Sequence, residues 1–250
     1  MAEYQGSVAT ELVVSHVRGL LSRGELKAGD RLPSERELAR QLGVSRPSLR
    51  AGLRSLAVMG VVQIRPGAGS FIAGGPPAFG TTALRFQAAL HGFTRDQMFQ
   101  ARQVLEVEVA ALAARHATPE DMIAISDEAT GMFASLTEPQ AFLGHDIAFH
   151  QAVAAASGNP ILSALVNMVA EQFREQRQRT INQARDLKEA ADEHRAIYLA
   201  LRARDADRAR RAMRDHLERA NRTQTTEAAG VGDPAGVEGI PGTSPERAGP

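Results

Sequence analysis

Leu32-Pro33-Ser34-Glu35-Arg36-Glu37-Leu38-Ala39, then Val44-Ser45-Arg46-Pro47, then Leu49-Arg50, Leu53-Arg54 and Leu56, is the stretch on which the reading of this chain turns. Ser34 and Glu37 have the Ser-x-x-Glu spacing of a capping box, and Leu38, Ala39 and Leu42 give a short helix one buried face. Gly43 is placed to end that helix in the left-handed conformation. Ser45 can cap the next helix, with Pro47 in its first turn, where a missing N–H does no harm. That helix runs to about Met59 and closes at Gly60. Leu49, Leu53 and Leu56 form one stripe along it; Arg46, Arg50 and Arg54 form a neighbouring stripe that cannot be buried with the first. A helix with a packed face and an arginine face fits a DNA major groove, where guanidinium groups bond guanine edges or phosphates.

The flanks agree with this reading. Upstream, Val13, Val17, Leu20 and Leu21 repeat with helical spacing, and the helix they mark stops near Gly24. Downstream, Val61-Val62-Gln63-Ile64 and Ser70-Phe71-Ile72 flank Arg65-Pro66-Gly67-Ala68-Gly69, a Gly/Pro turn that reads as a β-hairpin. Three helices followed by a hairpin is the order of a winged helix-turn-helix. Charge follows the same division. Seven arginines and no acidic residue lie between Leu38 and Arg95, in a chain whose totals balance at 29 basic and 29 acidic residues. Such clustering is the electrostatic footprint of a phosphate-docking surface.

Beyond the hairpin, Gly74-Gly75-Pro76-Pro77, continuing to Gly80, interrupts all periodicity and reads as a linker over 74–82. From Thr82 to about Asn221 the pattern is helical, with breaks near Gly92, Thr118-Pro119, Glu138-Pro139, Ser157-Gly158-Asn159-Pro160, Asn182 and Arg204-Asp205. These breaks predict a mainly α protein whose second unit, 83–222, is an all-α antiparallel bundle of about seven helices. Residues 223–250, rich in Gly and Pro, read as a disordered tail. Hydrophobic residues make up 43% of the chain but aromatics only 4%, so its cores rest on Ala, Leu, Val and Ile. With no cysteine, disulfides and thiolate metal sites are excluded. The N-terminus lacks signal-peptide character and no stretch is long enough to span a membrane, which points to a cytoplasmic protein.

In the second unit, Asp146 and His150 stand four apart and so share a helix face, while His194 and His216 lie on later helices. One carboxylate and three imidazoles converging in a bundle suit a borderline divalent ion such as zinc, nickel or manganese. Spacing alone leaves this open, since a carboxylate–His pair at i, i+4 is also a common surface feature. His145 points about 100° away from Asp146 around the helix. His16, His91 and His116 have no partner that the sequence argues for.

The quoted stretch, together with Gly67-Ala68-Gly69-Ser70-Phe71, resembles the N-terminal domain of GntR-superfamily transcription regulators over nearly all of residues 8–73. The resemblance implies DNA contacts by Arg36, Arg46 and Arg50, with Gly67 at the wing; Ser45 and Arg54 on the same helix complete the interface. The chain departs from the family at Ala51-Gly52, where a Glu commonly follows the arginine. A glycine there weakens the helix by about 1 kcal/mol, and without that carboxylate Arg50 is free to take another partner.

The order Asp146-x-x-x-His150, Ser157-Gly158-Asn159-Pro160, Glu193-His194 and His216 is similar to the effector domain of the FadR-type, or FCD, branch. There an Asp and three His hold a metal, zinc foremost, with nickel or manganese as alternatives, and a small organic acid binds beside it. Arg102, one turn before Glu106, matches an arginine that often faces this pocket; a surface ion pair with Glu106 is the alternative. The expectation is a homodimeric, non-enzymatic regulator that reads a near-palindromic operator under control of a carboxylate effector. Two rivals are a DNA binder whose bundle only dimerises around a structural ion, and a metal-dependent enzyme fused to a DNA reader.

Overall fold

The computed structural model describes residues 2–75, 80–181 and 187–230. Three helices open the chain: α1 (Ala2–Ser22), α2 (Glu35–Leu42) and α3 (Arg46–Val58). The antiparallel strands β1 (Val62–Arg65) and β2 (Gly69–Ile72) follow, in the register Val62↔Ile72 to Arg65↔Gly69. An isolated bridge from Arg31 to Phe71 ties the segment before α2 to the hairpin. This is the winged helix-turn-helix expected from the sequence.

Its local signals work largely as read. The Ser34 hydroxyl accepts from the Glu37 N–H at 3.3 Å, but the Glu37 carboxylate turns to Arg40 at 3.8 Å. Gly43 ends α2 at φ 63°. Ser45 caps α3 by accepting from the Ser48 N–H at 3.2 Å. Leu49, Leu53 and Leu56 pack with Val13, Val17 and Leu38 in one buried core.

Gly52 belongs to that core and revises the expectation attached to it. A Cβ at Gly52 would lie 2.6 Å from the Val13 Cβ, so α1 and α3 approach closely only because position 52 carries no side chain. The helix propensity lost at Gly52 is exchanged for this contact.

Seven further helices follow: α4 (Thr81–His91), α5 (Arg95–His116), α6 (Pro119–Ala134), α7 (Pro139–Ala156), α8 (Pro160–Thr180), α9 (Leu187–Arg202) and α10 (Ala206–Gly230). Proline opens α6, α7 and α8, each at a break read from the sequence. Capping boxes at Thr94/Gln97 and Thr118/Asp121 start α5 and α6, and Gly92 ends α4 at φ 62°. A second core joins Val107, Ile125, Met132, Phe149, Ile197 and Leu217 from five helices. By contrast α4 buries none of its residues and leaves Phe86 and Leu90 70% and 73% exposed.

Two boundaries differ from the sequence reading. α1 starts at Ala2, ahead of position 8, and α10 continues to Gly230, past position 223, where the disordered tail was expected to begin. Glu227-Ala228-Ala229 are good helix formers, so the helix ends at a glycine and not at the loss of apolar periodicity. Linker residues 76–79, the expected break at Asn182 and tail residues 231–250 lie outside the described residues.

Replacing Gly52 by Ala tests the α1–α3 contact. In an exposed helix this change stabilises by roughly 1 kcal/mol; here overpacking against Val13 should outweigh that and destabilise the N-terminal unit by about 1–3 kcal/mol. Denaturant unfolding of Gly52→Ala gives the sign.

Candidate metal centre and DNA-contact face

The arginine face of α3 is assembled on the rigid core beneath it. Arg36, Ser45, Arg46, Arg50, Arg54 and Gly67 are all exposed. Arg50 donates through Nε to the Glu35 carboxylate at 2.7 Å, so the partner left open by Ala51-Gly52 is an acid at the start of α2. Arg54 Nε donates to the Arg50 carbonyl at 3.3 Å, which lays that side chain along the helix. At the wing, Gly67 has φ 73°, a conformation that suits glycine. Below it, Arg65 donates twice to Gln63 Oε1, at 3.1 and 2.8 Å, and lies 4.5 Å from the centre of the Phe71 ring. The root of the wing is thereby stiffened by a residue whose electrostatic role alone was visible in the sequence.

In the bundle, α7 places Asp146 and His150 one turn apart, α9 brings His194 and α10 brings His216. One ligand atom from each lies within 4.8 Å of the other three, and none of the four residues exceeds 4% exposure. His150 Nε2 and His216 Nε2 are 3.3 Å apart, and His194 Nε2 is 3.2 Å from Asp146 Oδ1. These separations match the edge of a tetrahedron with metal–ligand bonds of about 2.0–2.1 Å, which is roughly 3.3–3.4 Å.

The outward ring nitrogens explain why the inward ones face each other. His194 Nδ1 lies 2.7 Å from the Ala190 carbonyl, so it carries the proton and donates. His216 Nδ1 lies 3.0 Å from the Glu193 carboxylate and does the same. His150 Nδ1 sits 2.5 Å from Glu106 Oε2, a contact too poorly aligned to be a regular hydrogen bond yet close enough to fix the proton on that side. All three Nε2 atoms are then lone-pair donors aimed at one another and at a carboxylate. His194 Nε2, fully buried, has no hydrogen-bond partner. Such a set is repulsive by itself and fits a divalent cation, with the carbonyl and two carboxylates behind it setting tautomer and ring orientation.

Charge around the cluster is also arranged. Burial alone would raise the Glu106 carboxyl, but Arg102, donating through Nε at 2.5 Å, and His150 bring it down to about 2. Burial likewise opposes ionisation of Asp146, and Arg177 with His194 holds it well below the usual carboxylate range. Burial pushes His150 down, partly offset by Glu106; burial and the charges of His194 and His150 push His216 further down. The Arg102–Glu106 pair expected as a surface alternative is therefore present, but buried against the imidazoles.

A partly open cleft of about 410 Å³ adjoins the cluster. Arg102, His150, Asn167, Arg174 and Arg177 line it together with apolar Ile147, Val166 and Ala170. Arg177, bonded to Asp146 Oδ2, and Asn167, whose buried Oδ1 lacks a partner, were not singled out by sequence reasoning. Both sit on α8 in a polar stretch that looks solvated until α8 packs against α5 and α7. The excluded histidines stand apart: His145 pairs with Glu128 at 2.8 Å and His116 bonds the Ser157 carbonyl at 2.9 Å.

The depressed imidazoles fix the sign of a pH effect. In the unfolded chain His150 and His216 take up protons near pH 6.5, whereas in the folded chain they do so only at lower pH. Their contribution to stability is thus complete above about pH 6.5 and lost as pH falls through the folded values. The urea midpoint of chelator-treated protein should hold steady above that pH and decline below it, with a shallower decline in His216→Gln.

Comparison with known proteins agrees with this architecture. Residues 9–72 match the bacterial regulatory proteins of the gntR family, and residues 97–219 match the FCD domain. The HTH-type transcriptional regulator LutR of Bacillus subtilis (strain 168) is 33% identical over 205 residues, covering 79% of this chain and 93% of LutR. The Uxu operon transcriptional regulator of Escherichia coli (strain K12) is 32% identical over 212 residues, 81% of each chain. In fold, the structure of Streptococcus agalactiae GntR is similar with a TM-score of 0.66 at 24% identity, covering 85% of this chain and 99% of that one. These relatives are transcription regulators and not enzymes. The chain belongs to the GntR family of bacterial transcription regulators, in the FadR-type branch that carries an FCD domain.

Proposed function

We propose that this regulator's operator affinity is set by a small carboxylate bound beside a divalent ion held by Asp146, His150, His194 and His216. The observation that carries this reading is the common tautomer of the three buried imidazoles, with every Nδ1 engaged outward and every Nε2 turned inward. Zinc suits a three-nitrogen, one-oxygen set best, with nickel or manganese next. Arg102 and the arginines of the adjoining cleft supply positive charge for an acid ligand.

On the DNA side, two copies of the chain each read one half of a near-palindromic operator. Arg36, Ser45, Arg46, Arg50, Arg54 and Gly67 form the contact set. Arg50 exchanges Glu35 for DNA, at little cost because an exposed pair is worth only about 0–1 kcal/mol. The uncovered apolar residues Phe86 and Leu90 on α4 support association with a second copy. The acid controls DNA binding only so far as its affinity differs between DNA-competent and incompetent states.

Two outcomes are expected. Arg46→Ala should weaken operator binding by about 1–3 kcal/mol in a titration at fixed salt while leaving the bundle's unfolding transition unchanged. In thermal unfolding of metal-stripped and zinc-loaded protein, a carboxylate at one hundred times its Kd should add about 2.7 kcal/mol, and only when zinc is present. A shift from zinc but from no acid would make the ion structural and the bundle a dimerisation block.

A further inference from the structure

Beyond the four ligands, α8 carries two side chains that face both the ion-binding cluster and the cleft. Arg177 bonds Asp146 Oδ2, leaving Oδ1 to face His194 Nε2 at 3.2 Å. Held this way, Asp146 presents one oxygen to an ion and turns the other away. A guanidinium has five N–H donors in a fixed fork, and Arg177 uses one nitrogen on Asp146 while also lining the cleft. Ten residues earlier, Asn167 lines the same cleft with a buried side-chain oxygen that accepts no hydrogen bond. A buried acceptor without a donor is costly, and a ligand hydroxyl would satisfy it.

Charge points the same way. Arg102 with Glu106 and Arg177 with Asp146 are two matched pairs, so this region is balanced before any ion arrives. A divalent ion adds two positive charges to a buried region, and an anion in the cleft offsets them.

We propose that α8 supplies the effector's half of the site: Arg177 receives the carboxylate while holding Asp146 for the ion, and Asn167 receives a hydroxyl. The ligand class is a short hydroxy-carboxylic acid, and its binding is coupled to that of the ion through one guanidinium. This rests on the metal-assisted acid reading above and makes Arg177 a positioning residue for Asp146 as well as a ligand contact.

The test is a linkage measurement on the full-length protein. Cobalt(II) affinity is read from its absorption bands alone and with saturating lactate or propionate, two acids that differ by one hydroxyl. By reciprocity, any factor by which the acid tightens cobalt is the factor by which cobalt tightens the acid. In the unaltered protein lactate should tighten cobalt at least tenfold and propionate less. Arg177→Gln should still bind cobalt but lose the lactate effect, and Arg177→Lys, which keeps the charge beside Asp146 without the planar fork, should lose most of it at nearly normal cobalt affinity. Asn167→Leu should bring lactate down to the level of propionate.

An unchanged lactate effect in both Arg177 variants, or undiminished discrimination in Asn167→Leu, overturns the α8 assignment while leaving the acid sensor standing. Failure of both acids to alter cobalt affinity in the unaltered protein overturns the hydroxy-acid assignment; the broader acid-sensor reading then falls only if no carboxylate of any class gives a zinc-dependent thermal shift.

Discussion

Three imidazoles cannot be buried nose to nose without something between them that accepts their lone pairs. In this bundle that constraint organises much else. Ala190, Glu193 and Glu106 each take or hold the outward nitrogen of one ring. Arg102 and Arg219 then compensate the buried acids Glu106 and Glu193. α5, α7, α9 and α10 thus meet around a charged centre as well as an apolar one, and Phe149 joins the two by setting its ring edge 4.9 Å from His194. The proposed ion would turn a mutually repulsive set into the most tightly cross-linked point of the domain.

The N-terminal unit solves a different problem. Its core is small, so α1 and α3 must come close, and Gly52 permits this by offering no Cβ to Val13. Close packing on one side of α3 fixes the direction of Arg46, Arg50 and Arg54 on the other. The wing is stiffened by similar economy, with Arg65 clamped between Gln63 and Phe71. Function here depends on a rigid scaffold carrying exposed arginines that the scaffold itself does not use.

Much of this was legible in the sequence because it is written in local terms. Ser45 before Pro47, Gly43 after Leu42, and proline after Thr118, Glu138 and Asn159 mark helix ends by backbone chemistry that acts over a few residues. Asp146 and His150 were readable for the same reason, as a pair on one helix face. What escaped depends on contacts between distant segments. Gly52 reads as a flaw in a helix until Val13 is placed against it. Arg177 reads as one charge in a polar stretch until α8 is laid beside α7, and the missing partner of Asn167 has no sequence signature at all. The far end of α10 was missed because apolar spacing fades before helix propensity does.

The central claim is that His150, His194 and His216 are pre-set as neutral, Nδ1-protonated rings whose Nε2 atoms await one ion. Nitrogen-15 NMR of the imidazoles, recorded on metal-stripped protein and again after one equivalent of zinc, tests it most directly. The account predicts three buried rings in the Nδ1–H tautomer near neutral pH, with all three Nε2 resonances moving together on zinc addition while Nδ1 stays protonated. A ring found as the Nε2–H tautomer, or three Nε2 resonances indifferent to zinc, would contradict it.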